Sequence, residues 1–116
     1  MQSLGHNVDL KIINEDFETD LGEYDLVFRL GGEEFAVLLQ TPNKVIAVET
    51  LERLRRGIEN HPFPQVGNVT ASIGVVQVSD QLIPPIMVGN ADEALYYAKG
   101  SGKNQDIFYD DILSEA

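Results

Sequence analysis

NVDLKIINEDFETDL, Asn7 to Leu21, carries two periodicities at once. Leu10, Ile13, Phe17 and Leu21 recur at three- and four-residue steps, the spacing of one helical face. Val8, Leu10 and Ile12 also alternate, the spacing of a strand. The helix over 7–21 is the favoured reading, with a strand over Val8 to Ile12 as its alternative.

Outward from this segment the signals are plainer. Asp25 to Leu30 and Phe35 to Gln40 are apolar runs of strand length joined by Gly31-Gly32-Glu33-Glu34. Gly-Gly permits the positive φ angles of a hairpin turn. Both runs are apolar on both faces, which predicts central strands. Thr41-Pro42 reads as an N-cap followed by proline at the first helical position. The helix it opens turns Ala47, Leu51, Leu54 and Ile58 inward and Glu49, Glu52, Arg53, Arg55 and Arg56 outward, and His61-Pro62-Phe63-Pro64 breaks it. Val69 to Val78 reads as a long strand with Gly74 as a bulge or a point of close approach. After Pro84-Pro85 a second helix has Asn90 as a cap, Glu93 in capping-box spacing, and a slim inner face of Ala91, Ala94, Leu95 and Ala98. Gly100 and Gly102 end it, and Asp106 to Tyr109 forms a last short strand. This order predicts one α+β domain, 1–116, on a largely antiparallel sheet.

Composition narrows the function. The chain has no cysteine, so disulfides and thiolate metal sites are excluded. It shows no signal peptide and no run near the roughly 20 apolar residues of a membrane helix, which predicts a soluble cytoplasmic domain. Nineteen acidic against eight basic residues give a net charge of -11. Such a surface repels nucleic acid and anionic membranes. An anionic ligand would need a local lysine cluster or a divalent cation. His6 and His61 have no partners at metal-ligand spacing and read as solvated or capping residues. Gly100-Ser101-Gly102-Lys103 is not a P-loop, because Tyr97 stands where the first glycine belongs and the segment follows a helix.

Taken locally, Gly31 to Glu34 is a solvated acidic turn. Its placement between two apolar strands also suits it to hold Mg²⁺ with hard oxygen ligands, and the glycines allow a nucleotide to approach the backbone. Arg29-Leu30-Gly31-Gly32-Glu33-Glu34-Phe35 resembles the signature of the GGDEF family, the diguanylate cyclases, in its GGEEF form. Val69-Thr70-Ala71-Ser72-Ile73-Gly74-Val75 resembles a strand of that family. Ala91-Asp92-Glu93-Ala94-Leu95-Tyr96-Tyr97-Ala98-Lys99 with Gly102-Lys103-Asn104 resembles its last helix and exit. The resemblance covers about Leu21 to Tyr109.

It implies a nucleotidyl-cyclase-like, ferredoxin-like palm that condenses two GTP into cyclic di-GMP, with Mg²⁺ or Mn²⁺, in a homodimer whose half-sites face each other. Glu33 is then the metal ligand and the group that assists deprotonation of the attacking 3′-hydroxyl. Glu34 is an adjacent metal ligand or nucleotide contact, and Gly31 and Gly32 make room for the substrate. Lys99 and Lys103, one helical turn apart, contact phosphates. The bland reading of these two is as solvated partners of the helix dipole.

Two departures qualify what the resemblance implies. The family's opening helix and its central strand with an Asp-x-Asp-x-Phe-Lys pattern are not found, and with them go a metal-binding Asp and an Asn that helps hold guanine. Gly5-His6 echoes a Gly-His pair of the family. An alignment with a three-residue gap then puts Asp9 at the guanine-binding position, and the favoured ungapped one puts Asn7 there. On this reading the domain is N-terminally truncated and inactive alone. Loss of a central strand predicts a dimer, possibly strand-swapped, or a rearranged sheet. Second, Gly22-Glu23-Tyr24-Asp25 stands where the inhibitory Arg-x-x-Asp site belongs, so tight cyclic di-GMP binding is not expected there. The competing function is a degenerate, non-catalytic module that binds GTP or dimerises to regulate a partner.

Overall fold

A computed structural model describes residues 6–16, 26–31, 33–41, 43–64, 67–79 and 82–114. Gly22 to Asp25, Gly32 and Pro42 lie outside the described residues, so the inhibitory-site expectation has no structural counterpart here. Eight elements follow in chain order: β1 (His6–Asp16), β2 (Leu26–Gly31), β3 (Glu34–Thr41), α1 (Lys44–Asn60), β4 (Val69–Gln77), α2 (Pro84–Gly100), β5 (Gln105–Phe108) and α3 (Tyr109–Ser114).

The five strands form one sheet in the order β2-β3-β1-β4-β5. The segment 7–21 therefore corrects the helical expectation: residues 6–16 are a strand, and a central one. Strand β1 runs parallel to both β3 and β4, with Leu10 opposite Phe35 on one side and Ile73 on the other. Two ladders satisfy its backbone, which outweighs the helical spacing of four apolar residues. The central slot expected to be vacant is filled by the chain's own N-terminal strand. Strands β4 and β5 are also parallel, and the β2–β3 hairpin is the antiparallel pair. The sheet is thus largely parallel, not largely antiparallel as expected. β2 lies at its edge rather than in its centre.

Alternation along β1 divides the molecule. Leu10 and Ile12 pack with Ala71, Ile73 and Val75 of β4, Ala47 and Leu51 of α1, and Phe108, with Val8, Phe35, Val37 and Ile58 around them. On the other face, α2 lays Ala91, Ala94, Leu95 and Ala98, all buried, against β4. Gly74 is what permits this approach. A Cβ there would stand 2.3 Å from the Leu95 backbone nitrogen and 2.4 Å from the Ala91 carbonyl oxygen. Of the two roles anticipated for Gly74, close approach is the one observed.

Helix boundaries differ from the sequence signals in two places. The cap of α1 is Asn43, whose side chain accepts from the Ile46 N–H at 3.0 Å. Thr41 instead ends β3 and donates its hydroxyl to Asn14 Oδ1 at 2.9 Å inside the core. Helix α2 begins at Pro84, with Asn90 well inside it. Prolines suit a first turn because their missing N–H would have no partner there. Leu54 is 41% exposed, not inward. Arg55, expected outward, keeps only 13% of its side chain exposed. The terminal helix α3 was not anticipated.

Candidate functional site

The N-terminal end of β1, the β2–β3 turn and the C-terminal end of α2 with the residues after it converge on one open cavity of about 590 Å³. It is lined by His6, Asn7, Asp9, Gly31, Glu33, Glu34, Lys99 and Lys103. Six residues named from the sequence, Asn7, Gly31, Glu33, Glu34, Lys99 and Lys103, are thus brought together; Gly32 lies outside the described residues.

The turn carries Glu33, 60% exposed, and its carbonyl accepts from the Asp9 N–H at 2.9 Å. That bond ties the acidic turn to the central strand. Gly31 has a φ of +150°, and nothing lies within 4 Å of where its Cβ would stand. Glu34 opens β3, and Lys11 contacts it at 3.1 Å. Lys11 also pairs with Asp92 of α2, and its side chain is only 14% exposed. Partial burial alone would lower its pKa, but hydrogen bonds and charge from Asp92 and Glu34 more than offset this, so the pKa is raised.

Asp9 is the residue that sequence reasoning placed least well. Its carboxylate, 16% exposed, receives Lys99 Nζ at 2.8 Å on one oxygen and Asn7 Nδ2 at 3.0 Å on the other. Asn7 in turn accepts from Thr70 Oγ1 at 2.9 Å and Ser72 Oγ at 3.0 Å. Its amide nitrogen also lies 3.3 Å from the Val8 carbonyl, so both ends of the amide have partners within the protein. Polar residues at every second position, Asn7, Asp9 and Lys11, were the signal that a strand reading would have used. His6, dismissed on sequence, sits with Nδ1 3.6 Å from Glu33.

Lys99 occupies the last turn of α2, where a cation is favoured by the helix dipole. Lys103 lies beyond the helix end rather than one further turn along it. Its N–H bonds back to the Ala98 carbonyl at 2.9 Å, and Lys103 and Asn104 both take left-handed backbone, with φ of 64° and 49°. Asn104 is held there from α1. Arg55 Nη1 donates to its side-chain oxygen at 2.9 Å and its carbonyl at 3.3 Å, and Asn104 Nδ2 donates to Glu59 at 2.7 Å.

Among the described residues, no group of three His, Cys, Asp or Glu could hold a metal ion. A resident ion in an all-protein cage therefore does not fit. An ion carried in on a polyphosphate does, because Mg²⁺ is commonly held by one or two carboxylates plus substrate phosphates.

The geometry defines a class: an α+β sheet domain whose hairpin-borne carboxylates face two lysines across one cavity. The chain belongs to the GGDEF family, whose model, described as the diguanylate cyclase GGDEF domain, matches residues 2–105. It is 35% identical over 99 residues to the diguanylate cyclase DgcP of Pseudomonas aeruginosa, covering 83% of this chain and 15% of that protein. It is 29% identical over 92 residues to the diguanylate cyclase DgcZ of Escherichia coli K12, covering 77% and 31%. The response regulator PleD of Caulobacter vibrioides is 32% identical over 111 residues, covering 88% and 24%. The chain thus spans less than a third of the length of each of these relatives. No solved structure matches it. Among the described residues, no helix is long and apolar enough to cross a membrane.

Proposed function

We propose that the cavity is a GTP half-site of diguanylate-cyclase type, within a nucleotidyl-cyclase-like domain of a bacterial signalling protein. The observation that carries this is the meeting of Asp9, Glu33 and Glu34 with Lys99 and Lys103 in one cavity. Asp9 adds a third carboxylate to the cavity lining, paired with Lys99.

In this reading Lys99 and Lys103 bind the triphosphate. Lys99 exchanges its ion pair with Asp9 for a phosphate oxygen; the pair is 42% and 16% exposed, and such pairs are worth about 1 kcal/mol or less, so the exchange is cheap. Glu33 and Glu34 would hold Mg²⁺ or Mn²⁺ together with the phosphates of the substrate. When bound, that ion draws charge from the phosphate and acidifies a neighbouring hydroxyl. Glu33, the most exposed carboxylate of the three, takes the proton of the 3′-hydroxyl. One cavity holds one GTP, so condensation to cyclic di-GMP requires two copies face to face, and a homodimer is part of the proposal.

A second reading is favoured by the ion pairs themselves. Lys99 on Asp9 and Lys11 on Glu34 occupy the carboxylates, which suits a GTP-binding regulatory module without turnover. Incubation with GTP and Mg²⁺ followed by chromatography separates the two. Cyclic di-GMP that disappears in Glu33→Ala supports the cyclase. GTP binding without any product supports the module, and no GTP binding at all sinks both.

A further inference from the structure

Helix α2 ends in a way that helix termination alone does not explain. After Ser101 the chain passes through three residues of positive φ in a row: Gly102 at 118°, Lys103 at 64° and Asn104 at 49°. Two backbone bonds close the helix, from the Gly102 N–H to the Lys99 carbonyl at 3.4 Å and from the Lys103 N–H to the Ala98 carbonyl at 2.9 Å. That closure needs one residue of positive φ, and Gly102 supplies it. Lys103 and Asn104 go further. Asparagine tolerates left-handed backbone through its short polar side chain, whereas lysine does not favour it. A strained residue persists only where its surroundings hold it, and such residues gather at ligand clamps.

The hold comes from α1, which packs on the opposite face of the sheet from α2. Arg55 Nη1 donates to both the carbonyl and the side-chain oxygen of Asn104, at 3.3 and 2.9 Å. Asn104 Nδ2 donates in turn to Glu59 at 2.7 Å. Gln105 Nε2 spans the turn itself, donating to the Ser101 and Lys103 carbonyls, each at 3.1 Å. The direction of the guanidinium is informative. An arginine placed to neutralise Asp106 would present two N–H groups to that carboxylate. Here Nη2 goes to Glu52, and Nε, buried without a hydrogen-bond partner, stays 4.0 Å from Asp106. The guanidinium is aimed at the turn.

We propose that Arg55 is a positioning residue for phosphate binding: through Asn104 it locks the left-handed turn that places Lys103 in the cavity beside Lys99. The inference rests on the nucleotide reading above and deepens it, by assigning a role to a residue that touches no ligand. Lys103 follows the helix rather than belonging to it, so α2 cannot fix its direction as it fixes that of Lys99. The turn does so instead. Released from Asn104, the turn relaxes toward ordinary φ at Lys103, and the ammonium leaves the cavity wall. The phosphate site thus depends on a cation that never enters it.

Calorimetric titration of the full chain with inorganic tripolyphosphate and Mg²⁺ tests this, because that ligand carries phosphates and nothing else. Lys103→Gln should weaken binding about tenfold or more, the loss of one hydrogen bond to a charged group. Asn104→Gly keeps left-handed backbone open but removes the side chain that Arg55 grips, and should weaken binding about threefold or more, as for coupled neighbours. Arg55→Lys should do the same: it keeps a charge beside Glu52 and Asp106, but one ammonium cannot replace the planar fork. Pairs of variants decide the matter. On a Lys103→Gln background, neither Asn104→Gly nor Arg55→Lys should weaken binding further by more than about twofold. On a Lys99→Ala background their losses should multiply with that of Lys99→Ala. A cluster that merely stabilised the protein would act alike on both backgrounds. Parental affinity in both Asn104→Gly and Arg55→Lys, or losses that multiply with that of Lys103→Gln, overturns the clamp and leaves the phosphate site standing. If the parent does not bind tripolyphosphate, or if neither Lys103→Gln nor Lys99→Ala weakens binding, the phosphate reading fails and the clamp falls with it.

Discussion

Two ionic clusters occupy opposite faces of the sheet, and they are built to different ends. On the α1 face, Arg55 is 13% exposed and pairs with Glu52, Glu59 and Asp106 while holding Asn104. On the α2 face, Lys11 and Lys99 meet Glu34, Asp92 and Asp9 beside an open cavity. In the first cluster one cation, Arg55, is central, and the backbone carbonyl of Asn104 is among its partners. In the second the carboxylates stand at the rim of open space, and a dissolved ligand can replace their partners. Charge alone does not mark a site; the difference lies in what the partners can exchange with.

The sharpest way to break this comparison is to remove Arg55. Arg55→Leu leaves Asp106 without its cation and Asn104 without its clamp, while Glu52 keeps only Arg56, and breaking such a network costs about 3–5 kcal/mol. A urea midpoint unchanged from the parent would show that the cluster is not structural.

Gly74→Ala should follow, at about 1–3 kcal/mol, because the added methyl meets the α2 backbone at 2.3 Å and that backbone cannot yield locally. Thermal melting of this variant at parental temperature would mean that α2 packs elsewhere.

Lys99→Ala sharpens the other side. Its loss of stability should stay within about 1 kcal/mol, as for exposed pairs, while triphosphate affinity falls about tenfold or more, the cost of a charge-assisted contact. Parental affinity in calorimetry would remove Lys99 from the site.

The smallest effect concerns pH. Burial, then the charge of Glu52, push Asp106 above its ordinary range. A raised carboxyl pKa gives stability that is present below the unfolded value, near 3.8, and is lost as pH rises through the folded value. Glu52 runs the opposite way: the hydrogen bond from Arg55 lowers it, so its contribution is present above about 4.5 and is lost as pH falls through its folded value. Asp106→Asn should therefore be more stable relative to the parent at pH 7 than at pH 4, as read by urea unfolding at each pH. The reverse order would place the buried strain on another group.

Much of this was legible in the sequence because the signals were local. The hairpin of β2 and β3, the length of β4, the alanine face of α2 and the membership of Glu33, Glu34, Lys99 and Lys103 in one cavity all followed from adjacent residues or from matched motifs. What was missed depended on distant partners. The 7–21 segment satisfied two periods, with the helical one favoured, and the choice was made by β3 and β4, which come later in the chain and offer two free edges. Arg55 looked like one more arginine on a charged helix face. Its burial comes from Asn104 and Asp106, some fifty residues away. Thr41 matched a capping pattern, but a buried Asn14 claimed its hydroxyl.

The alternation of β1 has a consequence for how the chain finds its structure. Two parallel partners and apolar stretches leave a central strand free to settle one residue out of step, since the backbone ladder is indifferent to such a slip. Here a slip would turn Asn7, Asp9 and Lys11 toward Ala47 and Leu51, and bury charge without partners. The residues that make the cavity polar are thus also an error check on the sheet. A molecule in the wrong register is penalised by the same side chains that it would fail to deliver to the site.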